Sequence, residues 1–173
     1  MKYWITLIVS ALISLPLMAL EVGDKAPDFS LQGSDGKTHT LSEYKNKSAV
    51  VIAWYPRAFT KGCTVECKSL ARNGYKIRAF NAAYFMASTD TIEENTRFAK
   101  ENEADFPLLS DPSGEVAKSY GVLIPMINIA RRITVYIGKD GKILKIDKDI
   151  KPATSAEDIA KNLGKLGVEQ NKL

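Results

Sequence analysis

The chain has 173 residues, 45% hydrophobic and 25% charged, with 24 Lys and Arg against 20 Asp and Glu and a net charge of +4. These proportions suit one globular domain and exclude a disordered chain, a collagen-like fibre and a multi-span membrane protein. The basic excess is spread along the chain without zinc-finger spacing or an aromatic RNA-binding signature, so no nucleic-acid partner is expected. Two Cys and one His are too few for a disulfide scaffold or a structural zinc site.

At the amino terminus, Met1-Lys2 precedes an uncharged run from Tyr3 to Leu20. A short basic start, an apolar stretch and a small residue near its end make a secretory signal, expected to span residues 1–19 with cleavage after Ala19. The competing reading is an uncleaved membrane anchor, because the run approaches bilayer-spanning length. The lone Lys2 and the helix breaker Pro16 favour cleavage. Either way residues 20–173 form the working domain and are expected to be exported, to a periplasm or another extracytoplasmic space.

The predicted elements follow in order. Asp35-Gly36-Lys37 turns a hairpin between Phe29–Leu31 and His39–Leu41, with His39 expected as a surface strand residue. Ala49–Tyr55 is a continuous apolar run, as in a strand buried on both faces. A helix is expected from Thr64 to Phe80, then a strand over Ala82–Ala87. Asp90, with Glu93, is the expected cap of a helix running to Glu101. Asp111–Gly114 reads as a turn and Glu115–Tyr120 as a short helix. Arg132–Ile137 and Ile143–Ile146 are strands joined at Lys139–Lys142. Thr154 with Glu157 is the expected cap of a last helix that buries Ile159, Leu163 and Leu166. Strands alternating with helices and ending in a hairpin make an α/β sandwich with a mixed sheet.

The segment from Tyr55 to Cys67, YPRAFTKGCTVEC, lies between a buried strand and a helix. In open α/β sheets, chemistry gathers at the carboxyl ends of strands. Cys63 falls in the first helical turn, where unpaired backbone N–H groups stabilise a thiolate. Thr60 can bring a hydroxyl towards the sulfur, and Pro56 stiffens the loop. Two inert buried cysteines are the plainer alternative. The junction position beside Lys and Arg favours a reactive one.

Pro56-x-x-x-Thr60-x-x-Cys63 resembles the active-site pattern of peroxiredoxins, and YPRAFTKGCTVEC is similar to that of their bacterioferritin-comigratory (Q-type) branch. The opening VGDKAPDF at Val22–Phe29, Asp111-Pro112-x-Gly114 and Tyr120-Gly121-Val122 also resemble that family, so the likeness spans Glu21 to Gly167. It implies a thioredoxin-like α/β fold, a mixed sheet flanked by helices with an amino-terminal β-hairpin. It also implies thiol-dependent reduction of hydrogen peroxide or organic hydroperoxides, with no cofactor or metal. Cys63 would be the peroxidatic cysteine, Thr60 would hydrogen-bond the peroxide and Pro56 would shield the sulfur. Arg132, in Arg132-Ile133-Thr134-Val135-Tyr136-Ile137-Gly138, would favour the thiolate and hold charge as the O–O bond breaks. The spacing to Thr134 selects Arg132 over Arg131. The implied partners are a peroxide, a thioredoxin-like or other thiol reductant, and for a homodimer a second copy. A membrane is involved only if the amino-terminal segment stays.

One departure stands out. The branch places its resolving cysteine five residues after the first, whereas Cys67 follows Cys63 by four. On an intact helix such a pair has Cβ atoms about 5–6 Å apart, against about 3.8 Å in a disulfide. Resolution by Cys67 therefore requires the helix start to unwind; the competing reading has an external thiol resolve Cys63. Two other functions fit an exported thioredoxin-like domain. A copper-binding assembly factor would carry a late His, and none follows His39. A thiol-disulfide oxidoreductase would carry Cys-x-x-Cys and leave Thr60 and Arg132 idle.

Overall fold

The run Ala49–Trp54 has no polar face to turn to water, and it is buried at every position in the middle of a sheet. The computed structural model describes residues 20–171, so the expected signal or anchor over residues 1–19 lies outside the described residues. In chain order the strands are β1 (Ser30–Gly33), β2 (Thr38–Thr40), β3 (Ala49–Trp54), β4 (Ala82–Ser88), β5 (Leu108–Ser110), β6 (Leu123–Ile124), β7 (Ile129–Ala130), β8 (Ile133–Ile137) and β9 (Ile143–Asp147). The helices are α1 (Lys61–Asn73), α2 (Tyr75–Arg78), α3 (Ile92–Glu101), α4 (Glu115–Ser119) and α5 (Ser155–Lys165).

Seven strands form one mixed sheet in the order β2-β1-β5-β4-β3-β8-β9. β3, β4 and β5 run parallel, and the remaining pairings are antiparallel. Because strand side chains alternate, β3 feeds two cores. Val51 and Ala53 meet Cys63, Cys67 and Leu70 of α1, Phe98 of α3 and Ile159 of α5. Val50, Ile52 and Trp54 meet Phe29, Phe85, Ala117 and Val135 on the other face. This is the thioredoxin-like α/β sandwich, and it sets the β3–α1 junction at the carboxyl end of the central strand.

Several local expectations need correction. The helix expected over Thr64–Phe80 starts at Lys61 and breaks at Gly74 into α1 and α2. A Cβ at Gly74 would stand 2.3 Å from Tyr84 Oη and 2.5 Å from the Leu70 carbonyl, so only glycine lets the chain pass there. The capping box of α3 is Thr91 with Glu94, one residue beyond the expected pair, because the Asp90 carboxylate is already taken by Ala58 N–H and Ser88 Oγ. Thr154 donates to Asp158 at 2.7 Å instead of capping the α5 backbone, while Glu157 pairs with Lys76 at 2.9 Å. The three-residue β5 and the two-residue β6 and β7 are too short to leave a periodic signal.

His39 is not a surface residue. It is 9% exposed and packs on Phe85 with ring centroids 5.0 Å apart. Nε2 meets both Asp35 carboxylate oxygens at 3.1 Å, and Nδ1 meets Tyr44 Oη at 3.1 Å. The hairpin turn folds Asp35 back onto β2, which supplies the carboxylate partner.

Candidate active site

The loop after β3 is pinned before it reaches the cysteine. Tyr55 is fully buried and donates its hydroxyl to Asn95 Oδ1. Burial holds the Tyr55 hydroxyl well above its ordinary range, so it remains a donor. Ala58 N–H donates to the buried Asp90 carboxylate at 2.8 Å. Half-buried Pro56, with no N–H of its own, lies between these anchors. Phe59 then takes a left-handed φ of 63°, with its ring edge-on to Phe98 and under the Arg97 guanidinium.

Thr60 is the N-cap of α1, with extended backbone, and its carbonyl accepts from Thr64 N–H at 2.9 Å. Its hydroxyl donates to the Arg57 carbonyl at 3.0 Å and, in this state, not to the sulfur. With the proton committed to Arg57, the lone pairs of Thr60 Oγ1 can accept from an incoming O–H. Cys63 follows in the first helical turn, fully buried, and both cysteines are free thiols.

Arg132 immediately precedes β8, which pairs with β3 from Val50–Ile137 to Trp54–Ile133 and so brings its start beside the active-site loop. Arg132 Nη2 donates to Cys63 Sγ at 3.1 Å, and Nη1 donates to Glu66 Oε2. Burial alone would lower the Arg132 ionisation; the charges of Glu66 and Cys63 outweigh it, so the guanidinium stays charged. Arg131 is exposed, and its Nη1 bonds the Leu123 carbonyl at 3.1 Å. A Cβ at Gly62 would stand 3.1 Å from Arg132 Nη2, so the missing side chain leaves room for the guanidinium.

Cys67 lies one turn further along α1, fully buried in the core. Burial, then the nearby charges of Glu66 and Cys63, push its thiol up to about 12. At neutral pH Cys67 is thus an unreactive thiol while the helix is intact.

Sequence reasoning missed Glu66 and Ser155. Glu66 is fully buried, and Ser155 donates to its second oxygen at 3.2 Å. Burial raises the Glu66 carboxyl above its ordinary value, against the pull of Arg132 and Ser155. Its place one turn after Cys63, on the same helix face, is the signal that could have revealed it. Ser155 is 89 residues away in the chain and had no such signal. Open concavities of about 130 and 320 Å³ lie elsewhere, the larger lined by Ala49 and Asn81 at the amino end of β3, opposite Cys63.

A model of the AhpC/TSA family matches residues 22–146. The chain is similar to peroxiredoxin Bcp of Escherichia coli K12, 33% identical over 138 residues that cover 76% of this chain and 88% of the relative. It is likewise similar to peroxiredoxin Bcp of Bacillus subtilis strain 168, 31% identical over 140 residues covering 78% and 88%. The crystal structure of peroxidoxin BcpB from Mycobacterium tuberculosis aligns with a TM-score of 0.76 at 29% identity, over 84% of this chain and 97% of that one.

Proposed function

This chain belongs to the AhpC/TSA family and is a thiol-dependent peroxidase, and on that premise we propose that peroxide oxidises Cys63 and that Cys67 resolves the product. The observation that carries the proposal is Arg132 Nη2 on Cys63 Sγ at 3.1 Å, at the first turn of a helix. A charged donor and unpaired N–H groups both favour sulfur as the thiolate.

In the first step the Cys63 thiolate attacks the terminal oxygen of hydrogen peroxide or an organic hydroperoxide. The S–O bond forms as the O–O bond breaks, sulfur loses two electrons, and the leaving oxygen takes a proton to depart as water or alcohol. Arg132 holds the charge that grows on the leaving oxygen. Thr60 Oγ1 accepts from the peroxide O–H, which orients it. Pro56 offers no N–H to compete for the substrate.

In the second step Cys67 leaves its buried position as the first turns of α1 unwind. Its sulfur displaces the sulfenic oxygen, which departs with two protons as water, and a Cys63–Cys67 disulfide remains. An external thiol reductant returns two electrons and two protons. The uncharged run Tyr3–Leu20 supports action outside the cytoplasm, with a mature chain beginning at Leu20. Cell fractionation with amino-terminal sequencing checks that assignment.

The central test is Cys63→Ser, assayed for hydrogen peroxide consumption with dithiothreitol as donor. Turnover is expected to vanish with the fold intact. Turnover retained at the wild-type rate would overturn the assignment of Cys63.

A further inference from the structure

We propose that the tip of the β6–β7 hairpin, residues 125–127, inserts into the surface of an anionic lipid bilayer and brings the active site to hydroperoxides carried on phospholipid chains. The choice of substrate rests on Cys63 being the oxidised sulfur; the docking does not.

Residues 121–130, GVLIPMINIA, carry no charge in a chain of which 25% is charged. Surface hairpins usually turn on Gly, Asn or Asp. This one turns on Pro125, Met126 and Ile127, all exposed, with Met126 at 101% and Ile127 at 56%. Met126 takes a left-handed φ of 75°, a conformation that a long side chain seldom adopts. The one polar residue, Asn128, is used inside the fold. Its side chain donates to the Pro112 carbonyl at 3.0 Å, and its own carbonyl accepts from Thr89 Oγ1 at 2.6 Å. The tip is therefore apolar, protruding and braced from behind.

Three side chains bury far too little for a stable protein interface, which uses about 20–30 residues a side. A bilayer asks for less: apolar groups that sink about 5–10 Å into the boundary of headgroups and acyl chains, with cations left among the headgroups. Arg131 is a cation at the matching depth. It is exposed, its N–H donates to the Val122 carbonyl at 2.7 Å, and its Nη1 donates to the Leu123 carbonyl at 3.1 Å. From Leu123 to Met126 is three residues, at most about 10 Å of strand. With Met126 at the acyl boundary, the Arg131 guanidinium stands among the lipid phosphates.

The hairpin also sits at the reacting end of the sheet. β7 runs directly towards Arg132, whose Nη2 is on Cys63 Sγ at 3.1 Å. Thr89, which braces the hairpin, precedes Asp90, which holds the loop before the cysteine through Ala58 N–H at 2.8 Å. Peroxidation of an unsaturated acyl chain leaves an O–OH group whose polarity draws it towards the headgroups. The Cys63 thiolate takes the outer oxygen and becomes the sulfenic acid. The O–O bond breaks, and the inner oxygen takes a proton and stays on the lipid as an alcohol. This route to a membrane is separate from the apolar run at residues 3–20.

The test uses the full chain and vesicles of phosphatidylcholine and phosphatidylglycerol in equal parts. Among the backbone hydrogen bonds of the described residues none is donated by Met126, Ile127 or Asn128, so these amides exchange quickly in solution. With vesicles present their exchange is expected to slow. Unchanged exchange in vesicle-bound protein overturns the docking, because another segment, such as residues 3–20, then holds the chain. Slowing that follows protein concentration and needs no vesicles assigns the tip to a second copy and overturns it too. Met126→Asn combined with Ile127→Ser removes the apolar tip and puts at residue 126 a side chain that tolerates the left-handed backbone. That variant is expected to reduce phospholipid hydroperoxide in the same vesicles about tenfold more slowly, with dithiothreitol as donor. Its consumption of hydrogen peroxide is expected to match wild type. Arg131→Gln is expected to slow the vesicle reaction about fivefold, and to leave it unchanged on phosphatidylcholine alone. Equal vesicle rates in wild type and the double variant overturn the delivery of lipid substrate. Turnover retained in Cys63→Ser with either peroxide would instead strike the assignment of Cys63, so the two failures are separable.

Discussion

Of two polar clusters among the described residues, one at the β3–α1 junction and one on the β1–β2 hairpin, only the first is arranged for chemistry. At the β3–α1 junction, Arg132 divides its donors between Glu66 and the Cys63 sulfur. On the β1–β2 hairpin, His39 divides its ring nitrogens between Asp35 and Tyr44 and leans on Phe85. Both clusters set a ring or guanidinium between two partners at low exposure. They differ in what stands at the end. The hairpin cluster closes on itself, with both ring nitrogens satisfied by groups that have no leaving chemistry. The other ends on a sulfur at a helix start, with a charged donor aimed at it and a second sulfur one turn away. A buried ionisable cluster alone is thus weak evidence of function; a nucleophile with a preorganised donor is stronger.

The sharpest way to break that comparison is to remove the donor from one cluster and watch the sulfur. Arg132→Met should slow oxidation of Cys63 by about a hundred- to a thousandfold, the usual cost of one preorganised electrostatic group. Arg131→Met should change the rate by less than about threefold, because its guanidinium is exposed on the Leu123 carbonyl. Stopped-flow oxidation of the reduced protein measures both. A reversal of the two would transfer the role to Arg131.

Cys67 sharpens the comparison from the other side. One equivalent of peroxide should leave wild-type protein with no free thiol and no added oxygen. Cys67→Ser should stop at the Cys63 sulfenic acid and pass on to the sulfinic form. Burial, with Glu66 and Cys63 beside it, holds the Cys67 thiol up to about 12, so resolution should wait on opening of the helix. Amide exchange over Cys63–Leu70 should therefore quicken in the oxidised state. Intact mass and peptide mapping decide the chemistry. Two free thiols after one equivalent of peroxide would remove Cys67 from the mechanism.

The parts of this site that sequence could show are those whose chemistry is local. Pro56, Thr60 and Cys63 fall within eight consecutive residues, and a helix start after a buried strand is a pattern in composition alone. Arg132 was legible only through the family resemblance, whose pattern sets an arginine two residues before Thr134, and β8 brings it beside α1 through pairing with β3. Glu66 was hidden because a carboxylate in a helix usually faces water, and only its partners show why this one is buried. Ser155 and the break at Gly74 depend on neighbours far along the chain, Glu66 for one and Tyr84 for the other. His39 was misread although Asp35 lies four residues before it, because the hairpin that joins them acts through space. The two- and three-residue strands β5, β6 and β7 exist through pairing, which no period reveals.

The smallest expected effect belongs to the hairpin cluster, and it carries a sign. Burial alone would raise the Asp35 carboxyl; the hydrogen bond from His39, the Lys37 N–H and the charge of His39 bring it net below its ordinary value. A carboxylate lowered in the folded state adds stability above its unfolded value, and that contribution is lost as pH falls through the folded one. Asp35→Asn should therefore destabilise the protein at pH 7, by under about 1 kcal/mol because the Asp35 side chain is still 31% exposed and its ion pair is screened by solvent. The gap between wild type and variant should narrow below about pH 4, where the unfolded carboxyl begins to hold its proton. Urea unfolding at pH 7 and pH 3 measures it. Peroxide turnover should be unchanged in the same variant, since no member of the cluster contacts Cys63, Arg132 or Glu66 through the hydrogen bonds described. A gap that widens on acidification would mean that the Asp35–His39 contact favours the protonated carboxyl, and a loss of turnover would bring the hairpin into the mechanism and dissolve the contrast between the two clusters.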